Sequence, residues 1–288
     1  MLKYEIFSDS SCDLPQAYVA ENKINIVPFS ITFDEKSYLR EHEDISVEDF
    51  YINLVNEKAV AKTSLPSIQA YVDAFTPFLK EGKDILCFCI SSKFSGSFQS
   101  AMNAKSFLDE EYPSREIVII DSRNATGGQG VVVKEGVKQR DSDVPILTAK
   151  QNLNRFVKGV EIYFTVDTLE YLAKGGRIGK ASALVGSVLD IKPILFLKDG
   201  ELGPHSKVRR RKKAMATLHD VIKGKTDELS GDYSLSFISS TFDEESQAFK
   251  QKLEEDYSID NIDTYKIGVT IGVHTGPSAL GVVIAKHI

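Results

Sequence analysis

The chain has 288 residues, 42% apolar and 26% charged, enough apolar material for one large domain or two ordinary ones, which excludes a disordered chain. A net charge of −6 excludes a generally basic nucleic-acid binder. Three cysteines exclude a disulfide-framed secreted scaffold, and the lack of any run of about 18 apolar residues excludes a spanning helix. With no apolar leader in MLKYEIFSDSS, the expectation is a cytoplasmic protein without membrane insertion.

Tyr4–Phe7 predicts a first strand, ending in the loop Ser8-Asp9-Ser10-Ser11-Cys12-Asp13. Asp13, before Leu14-Pro15, is placed as a helix N-cap. Residues 24–33 read as strand, with a hairpin through Asp34-Glu35-Lys36 to Tyr38-Leu39. Ser46-Val47-Glu48-Asp49 has the form of a capping box opening a helix through Val55. The link Lys62–Ser67 is rich in hydroxyls and puts Thr63 where a helix begins. Ile68, Tyr71, Val72, Phe75, Phe78 and Leu79 then recur at helical spacing, and Pro77 should kink or end that helix early.

Ile85-Leu86-Cys87-Phe88-Cys89-Ile90 is an unbroken apolar run, the pattern of a parallel strand buried on both faces. It stops at Ser91-Ser92, turns through Phe94-Ser95-Gly96-Ser97, and continues as a helix marked by Phe98, Ala101, Met102 and Leu108. Strand, hydroxyl-rich loop and helix form the arrangement that carries a ligand beyond a strand's carboxyl end, and the helix start favours an anion. The plainer reading is that Ser95 or Ser97 only caps the helix.

Glu116–Ile120 predicts the next buried strand. Gly127, Gly128 and Gly130 follow it but do not complete G-x-G-x-x-G, because Val133 stands where the last glycine belongs. After a break at residues 142–145 come a helix through Phe156-Val157, a strand over Val160–Val166 and a short helix from Thr168. Lys174–Lys180 is not a P-loop, since Lys174 replaces the first glycine and Ala181 the Ser/Thr. Lys192–Leu197 reads as strand. The basic run Lys207–Lys213 is either the exposed face of a helix through Met215 and Leu218 or a contact for an acidic partner. Strand Tyr233–Ile238, helix Phe242–Leu253 and strand Leu280–Ala285 complete an α/β pattern.

Of the five histidines, only His274 lies between glycines in an apolar stretch. Cys87-x-Cys89 has no second cysteine pair and reads as packing. Ser95, His274 and Asp121 supply the residue types of a nucleophilic triad but lack the G-x-S-x-G elbow. A serine hydrolase of a lipid or small ester is therefore the competing function.

TSLPS (Thr63–Ser67), ISSKFSGSFQSA (Ile90–Ala101), FTVDTLEYLAKGGRI (Phe164–Ile178) and HTGP (His274–Pro277), following DSSCDLP (Asp9–Pro15), resemble the DegV family. More narrowly they are similar to its FakB-type members, the fatty-acid-binding subunits of bacterial fatty acid kinase, and the resemblance covers essentially the whole chain. It implies two α/β domains with the ligand between them. Residues 1–160 would carry a mostly parallel, doubly wound sheet, and residues 161–288 a mixed or antiparallel one. The resemblance also implies that Thr63, Ser95 and His274, with the backbone around Gly96, hold the carboxylate of a long-chain fatty acid. No metal or other cofactor is expected. The chain would not itself be an enzyme: a separate ATP-dependent kinase phosphorylates the bound carboxylate, and an acyltransferase takes the acyl phosphate into phospholipid synthesis. Nucleic acid is not an expected partner.

Leu184, Val185, Val188, Leu189, Ile194 and Phe196 are candidate walls for the acyl chain. At about 0.8 kcal/mol per CH₂, burying some sixteen carbons gains on the order of 12 kcal/mol. Lys174, Leu65 and Ser278 depart from the family pattern, and Arg177 and the 207–213 run are candidates for docking the kinase.

Overall fold

The computed structural model describes residues 4–56, 61–184, 190–229 and 231–287. The chain opens with β1 (Tyr4–Asp9), α1 (Gln16–Glu21), β2 (Ile24–Val27), β3 (Ser30–Thr32), β4 (Leu39–Arg40) and α2 (Val47–Asn56). It continues through β5 (Lys62–Ser64), α3 (Ile68–Lys80), β6 (Asp84–Cys89), α4 (Ser97–Glu111), β7 (Ile117–Asp121), α5 (Thr126–Asp141) and α6 (Ile146–Phe156). Then follow β8 (Val160–Thr165), α7 (Glu170–Lys174), β9 (Ile191–Lys198), β10 (Glu201–Arg209) and α8 (Arg211–Glu228). The last elements are β11 (Tyr233–Ser239), α9 (Glu244–Tyr257), β12 (Asp263–Lys266), α10 (Val269–Thr275) and β13 (Leu280–Lys286).

Two main sheets result. One is wholly parallel, in the order β2-β1-β6-β7. The other is mixed, in the order β10-β9-β8-β13-β11-β12, with β11 and β12 its parallel pair. A small antiparallel sheet, β4-β3-β5, lies apart and packs with α2 and α10.

The strand period explains the layering. Ile85, Cys87 and Cys89 of β6 face a core shared with α3 and α4. Leu86 and Phe88 face the opposite way, into a central core between the two sheets. The mixed sheet sends Ile162, Phe164, Leu195 and Leu197 into that central core. Tyr163 and Ile194 point outward onto α8 and α9. Alternate residues of each strand thus serve different layers. The helix α5 is wedged between the sheets because its first turn is nearly bare: a Cβ on Gly127 would stand 2.6 Å from Ile238, and one on Gly130 2.7 Å from the Cys12 carbonyl.

Several expectations are corrected. Asp13 is not a helix N-cap; it adopts a left-handed conformation (φ 50°) that ends a short 3-10 turn over Ser10–Cys12, and Pro15 precedes α1. Thr63 does not open a helix but sits in β5 opposite Ile31, while Ser67 caps α3 by accepting from the Ala70 N–H at 3.1 Å. Pro77 neither ends nor shortens α3, which runs on to Lys80. The basic run is split, Lys207–Arg209 lying in β10 and Arg211–Lys213 opening α8. Of the candidate walls, Ile194 and Phe196 pack toward α8, on the wrong side of β9. Val185, Val188 and Leu189 lie outside the described residues.

Candidate functional site

A mainly apolar, partly open cavity runs between the two sheets. Its walls include Ile90 at the end of β6, Ile162 and Phe164 of β8, Leu197 and Leu202 of the β9–β10 hairpin, and Ile238 of β11. Ala125, Ile267 and Ile271 add to this lining. Polar side chains gather where the cavity approaches the surface: Thr63, Ser95, Arg177 and His274 all line it there. Three of these four, Thr63, Arg177 and His274, also line an outer hollow that includes Lys62 and Lys174. The polar end of the slot therefore communicates with solvent.

Each polar group is set by its own element. Thr63 is held by the β3–β5 ladder, and its Oγ1 lies 3.1 Å from His274 Nε2. His274 occupies the last turn of α10, and its Nδ1 is buried without a hydrogen-bond partner among the described residues. A Cβ on Gly175 would stand 2.1 Å from that Nδ1, so the ring packs against bare backbone. Burial, and then the Arg177 charge, push the His274 pKa down to about 4, which keeps the imidazole neutral near pH 7. We assign the Nε2–H tautomer, since an unpaired acceptor at Nδ1 is easier to tolerate than an orphaned N–H.

With Nε2–H donating to Thr63 Oγ1, the Thr63 hydroxyl proton is left for a ligand. The Oγ of Ser95 accepts from the Ser97 N–H at 3.2 Å and likewise keeps its own proton to donate. Arg177 is anchored by Nε to the Phe94 carbonyl at 3.1 Å and by Nη1 to the Gly175 carbonyl at 2.7 Å. Two hydroxyl donors beside a guanidinium make an anion site at one end of an apolar slot.

The loop bearing Ser95 is fixed from below by Asp9. This fully buried carboxylate accepts from Ser11 Oγ (2.6 Å), Ser97 Oγ (2.7 Å), Gln129 Nε2 (2.8 Å) and the Ile90 N–H (3.0 Å). Burial raises the Asp9 pKa, and these four bonds oppose that rise. Ser97 is thereby committed to the scaffold, also lying 2.7 Å from the Tyr71 hydroxyl, and only Ser95 faces the cavity.

The structure thus brings Thr63, Ser95 and His274 to one place. Gly96 stands beside them at the boundary of α4, exposed and outside the cavity lining. The triad needed for a hydrolase is not assembled. Asp121 accepts from Ser92 Oγ at 2.5 Å and from the Arg123 N–H, and His274 Nε2 is engaged with Thr63 rather than Ser95. Arg177, expected on the docking surface, proves to line the site itself. Its signal in the sequence was the glycine pair before it, which allows close approach.

A larger open groove of about 1090 Å³ beside α1 and β2 is less suited to an apolar ligand. Four of its charged residues form the pairs Lys83–Glu5 and Arg140–Asp141. Among the described residues no cluster of three metal-ligating side chains occurs, and no helix is long and apolar enough to cross a membrane.

A family model described as "Uncharacterised protein, DegV family" matches residues 3–287. The chain belongs to the DegV family. A DegV domain-containing protein of Clostridium acetobutylicum is 32% identical over 282 residues, 98% of each chain. Among solved structures, a stearic acid-binding protein from Eubacterium ventriosum is similar with a TM-score of 0.93 at 34% identity, covering 98% of both chains. A fatty-acid-binding DegV family protein from Thermus thermophilus matches with a TM-score of 0.87 at 27% identity, over 99% of this chain and 100% of its own. DegV relatives thus share this α/β architecture along their full length.

Proposed function

We propose that this DegV chain buries one long-chain fatty acid in the inter-sheet cavity, between units taken as residues 1–160 and 161–288. Thr63 and Ser95 donate to its carboxylate, His274 orients Thr63, Arg177 supplies positive charge, and the backbone near Gly96 completes the anion's surroundings. The observation that carries this reading is the polar end, with Thr63 Oγ1 and His274 Nε2 3.1 Å apart, on a slot whose other walls are mainly apolar; of the remaining hydroxyls there, Thr270 and Thr275 are bonded to Glu41 and the Ile271 carbonyl. An isolated carboxylate is too costly to desolvate without such donors, and the tail needs such walls.

The carboxylate end opens toward the outer hollow. We further infer, from the resemblance to FakB-type proteins, that a separate ATP-dependent kinase reaches the carboxylate there. The resulting acyl phosphate passes to an acyltransferase of phospholipid synthesis, and the carrier contributes no catalytic residue.

The test is lipid mass spectrometry on solvent extracts of the purified, denatured protein, paired with the variants Ser95→Ala and His274→Ala. The expected result is one long-chain fatty acid per chain, with the variants depleted of it. An empty extract from cells rich in free fatty acid overturns the carrier reading.

A further inference from the structure

Gly268 stands at the N-terminal boundary of α10, and two carboxyl groups press against it. A Cβ there would lie 2.5 Å from Asp13 Oδ1 and 2.6 Å from Glu41 Oε1. Both side chains are buried, Asp13 at 5% exposure and Glu41 at 0%. They face each other across one backbone position.

Their hydrogen bonding is unequal. Glu41 accepts from Thr270 Oγ1 (2.6 Å), Ser10 Oγ (2.7 Å), the Thr270 N–H (3.2 Å) and the Val269 N–H. Neither Asp13 oxygen has a hydrogen bond of normal geometry among the described residues; the donors nearest it are the Thr126 hydroxyl and the Gly268 N–H. The titratable groups facing the pair are Asp9 of β1, Cys12 of the same loop and Tyr51 of α2, whose hydroxyl donates to the Ile267 carbonyl at 3.0 Å. None is a cation, and Lys266, two residues from Gly268, is paired with Glu48.

Two buried carboxyls at such range do not both ionise. A carboxylate satisfied by four donors is the natural bearer of the charge, and one without a well-formed hydrogen bond is the natural acid. Burial and the neighbouring Glu41 hold the Asp13 carboxyl well above its usual range.

We propose that Asp13 and Glu41 share one proton across Gly268, and that this neutral–ionised pair positions α10, and with it the His274 ring that orients Thr63 toward the ligand carboxylate. Both are positioning residues, since neither lines the cavity. Loss of the proton puts two buried like charges at the start of α10 and drives it from the Asp13 loop. His274, in the last turn of that helix, then leaves Thr63. Because the folded pKa of Asp13 is raised, the stability it contributes is present at low pH and lost as pH rises through the folded value.

The binding readout rests on the fatty-acid reading above, so the test has two arms. In the first, the affinity for a fluorescent long-chain fatty acid is measured from about pH 6.5 to about pH 9.5, a range in which His274 stays neutral and effects on the free ligand are common to all proteins. Wild-type binding is expected to weaken about tenfold across it, a pH-dependent loss of about one decade. Asp13→Asn, which mimics the neutral acid, should match wild type at the lower pH and change less than about twofold. Glu41→Gln, whose amide cannot accept all four bonds, should bind at least about tenfold more weakly at both ends. Parallel profiles for wild type and Asp13→Asn, or undiminished binding by Glu41→Gln, overturn the proposal.

In the second arm, thermal midpoints of ligand-free wild type and Asp13→Asn are followed over the same pH range. A midpoint that falls only in wild type sustains the shared proton, and parallel curves overturn it. This arm reads the pair even if wild type takes up no fatty acid, an outcome that counts against the carrier reading instead. It also stands if Glu41→Gln fails to fold.

Discussion

His274 works because of what is missing beside it. Gly175 supplies no side chain, so the imidazole rests on backbone where a Cβ would stand 2.1 Å from Nδ1. The Gly175 φ of −75° suits any residue, so Gly175→Ala brings no backbone strain and acts through the ring alone. Displacing the ring costs about 1–3 kcal/mol, and fatty-acid affinity should fall at least about tenfold while the fold persists. Isothermal titration against a thermal scan of the same variant checks this; unaltered affinity means the ring does not depend on Gly175. At this scale the chemistry alone named Ser95 and His274 only as possibilities. Residue types at separate points of a chain do not reveal that Thr63 Oγ1 meets His274 Nε2 across 211 positions. The family pattern supplies that grouping, whereas Arg177 is both exposed and part of the cavity lining, and an exposed arginine between Gly176 and Ile178 carries no sign of a ligand in the sequence.

Among the elements, α5 and α8 carry glycines of opposite consequence. A Cβ on Gly130 of α5 would stand 2.6 Å from the Tyr265 ring and 2.7 Å from the Cys12 carbonyl, and a backbone carbonyl cannot swing aside. Gly130→Ala should destabilise the protein by about 1–3 kcal/mol. A Cβ on Gly224 of α8 would meet nothing within 4 Å beyond its own helix, and Gly224→Ala should stabilise by about 0.5–1 kcal/mol through helix propensity and loss of unfolded-state freedom. Urea unfolding of the two variants measures both, and equal effects would mean that α5 is not tightly wedged.

Strands posed the harder problem for sequence reading. ELGPHSKVR, the sequence of β10, shows no strand pattern because it mixes glycine, proline and charge, a composition tolerated at a sheet edge. β12 has only four residues. β9 was found, yet its cavity side was misjudged by one residue, Leu195 and Leu197 facing inward rather than Ile194 and Phe196. A strand apolar on both faces has no alternation to say which face meets a ligand. Pro77 was overread because a proline in the last turn of α3 forfeits only its own N–H bond.

On the scale of the whole molecule, the two sheets are also tied at the surface. Glu201 of β10 pairs with Lys93 (2.7 Å), two residues before Ser95, and with Lys180, three residues after Arg177. The adjoining hairpin adds Ser91 Oγ donating to the Gly200 carbonyl at 3.2 Å. These ion pairs are exposed, and such contacts contribute about 0–1 kcal/mol each. Glu201→Gln should therefore speed fatty-acid release by no more than about fivefold, with the difference vanishing in high salt. Stopped-flow displacement of a fluorescent fatty acid reads this directly; release unchanged at low salt would remove the ion pairs from any part in retention. The two-sheet plan was legible in the chain as apolar runs separated by helical patterns. The closure of one sheet on the other is not, because it depends on apolar contacts in a shared core between strands about a hundred residues apart.

The slot between the sheets has a consequence for the protein's lifetime. Its walls come from segments as distant as Phe29 and Thr275 and belong to the same core that joins the two sheets. A tail lying there is packing material as much as cargo, and any ligand bound only by the folded chain stabilises it in proportion to the logarithm of its concentration over its dissociation constant. On the carrier reading, chains without lipid open more often and meet proteases in that state. Turnover of the empty form should then outpace that of the filled one, so that the steady-state amount of this protein follows the supply of free fatty acid without any change in its synthesis.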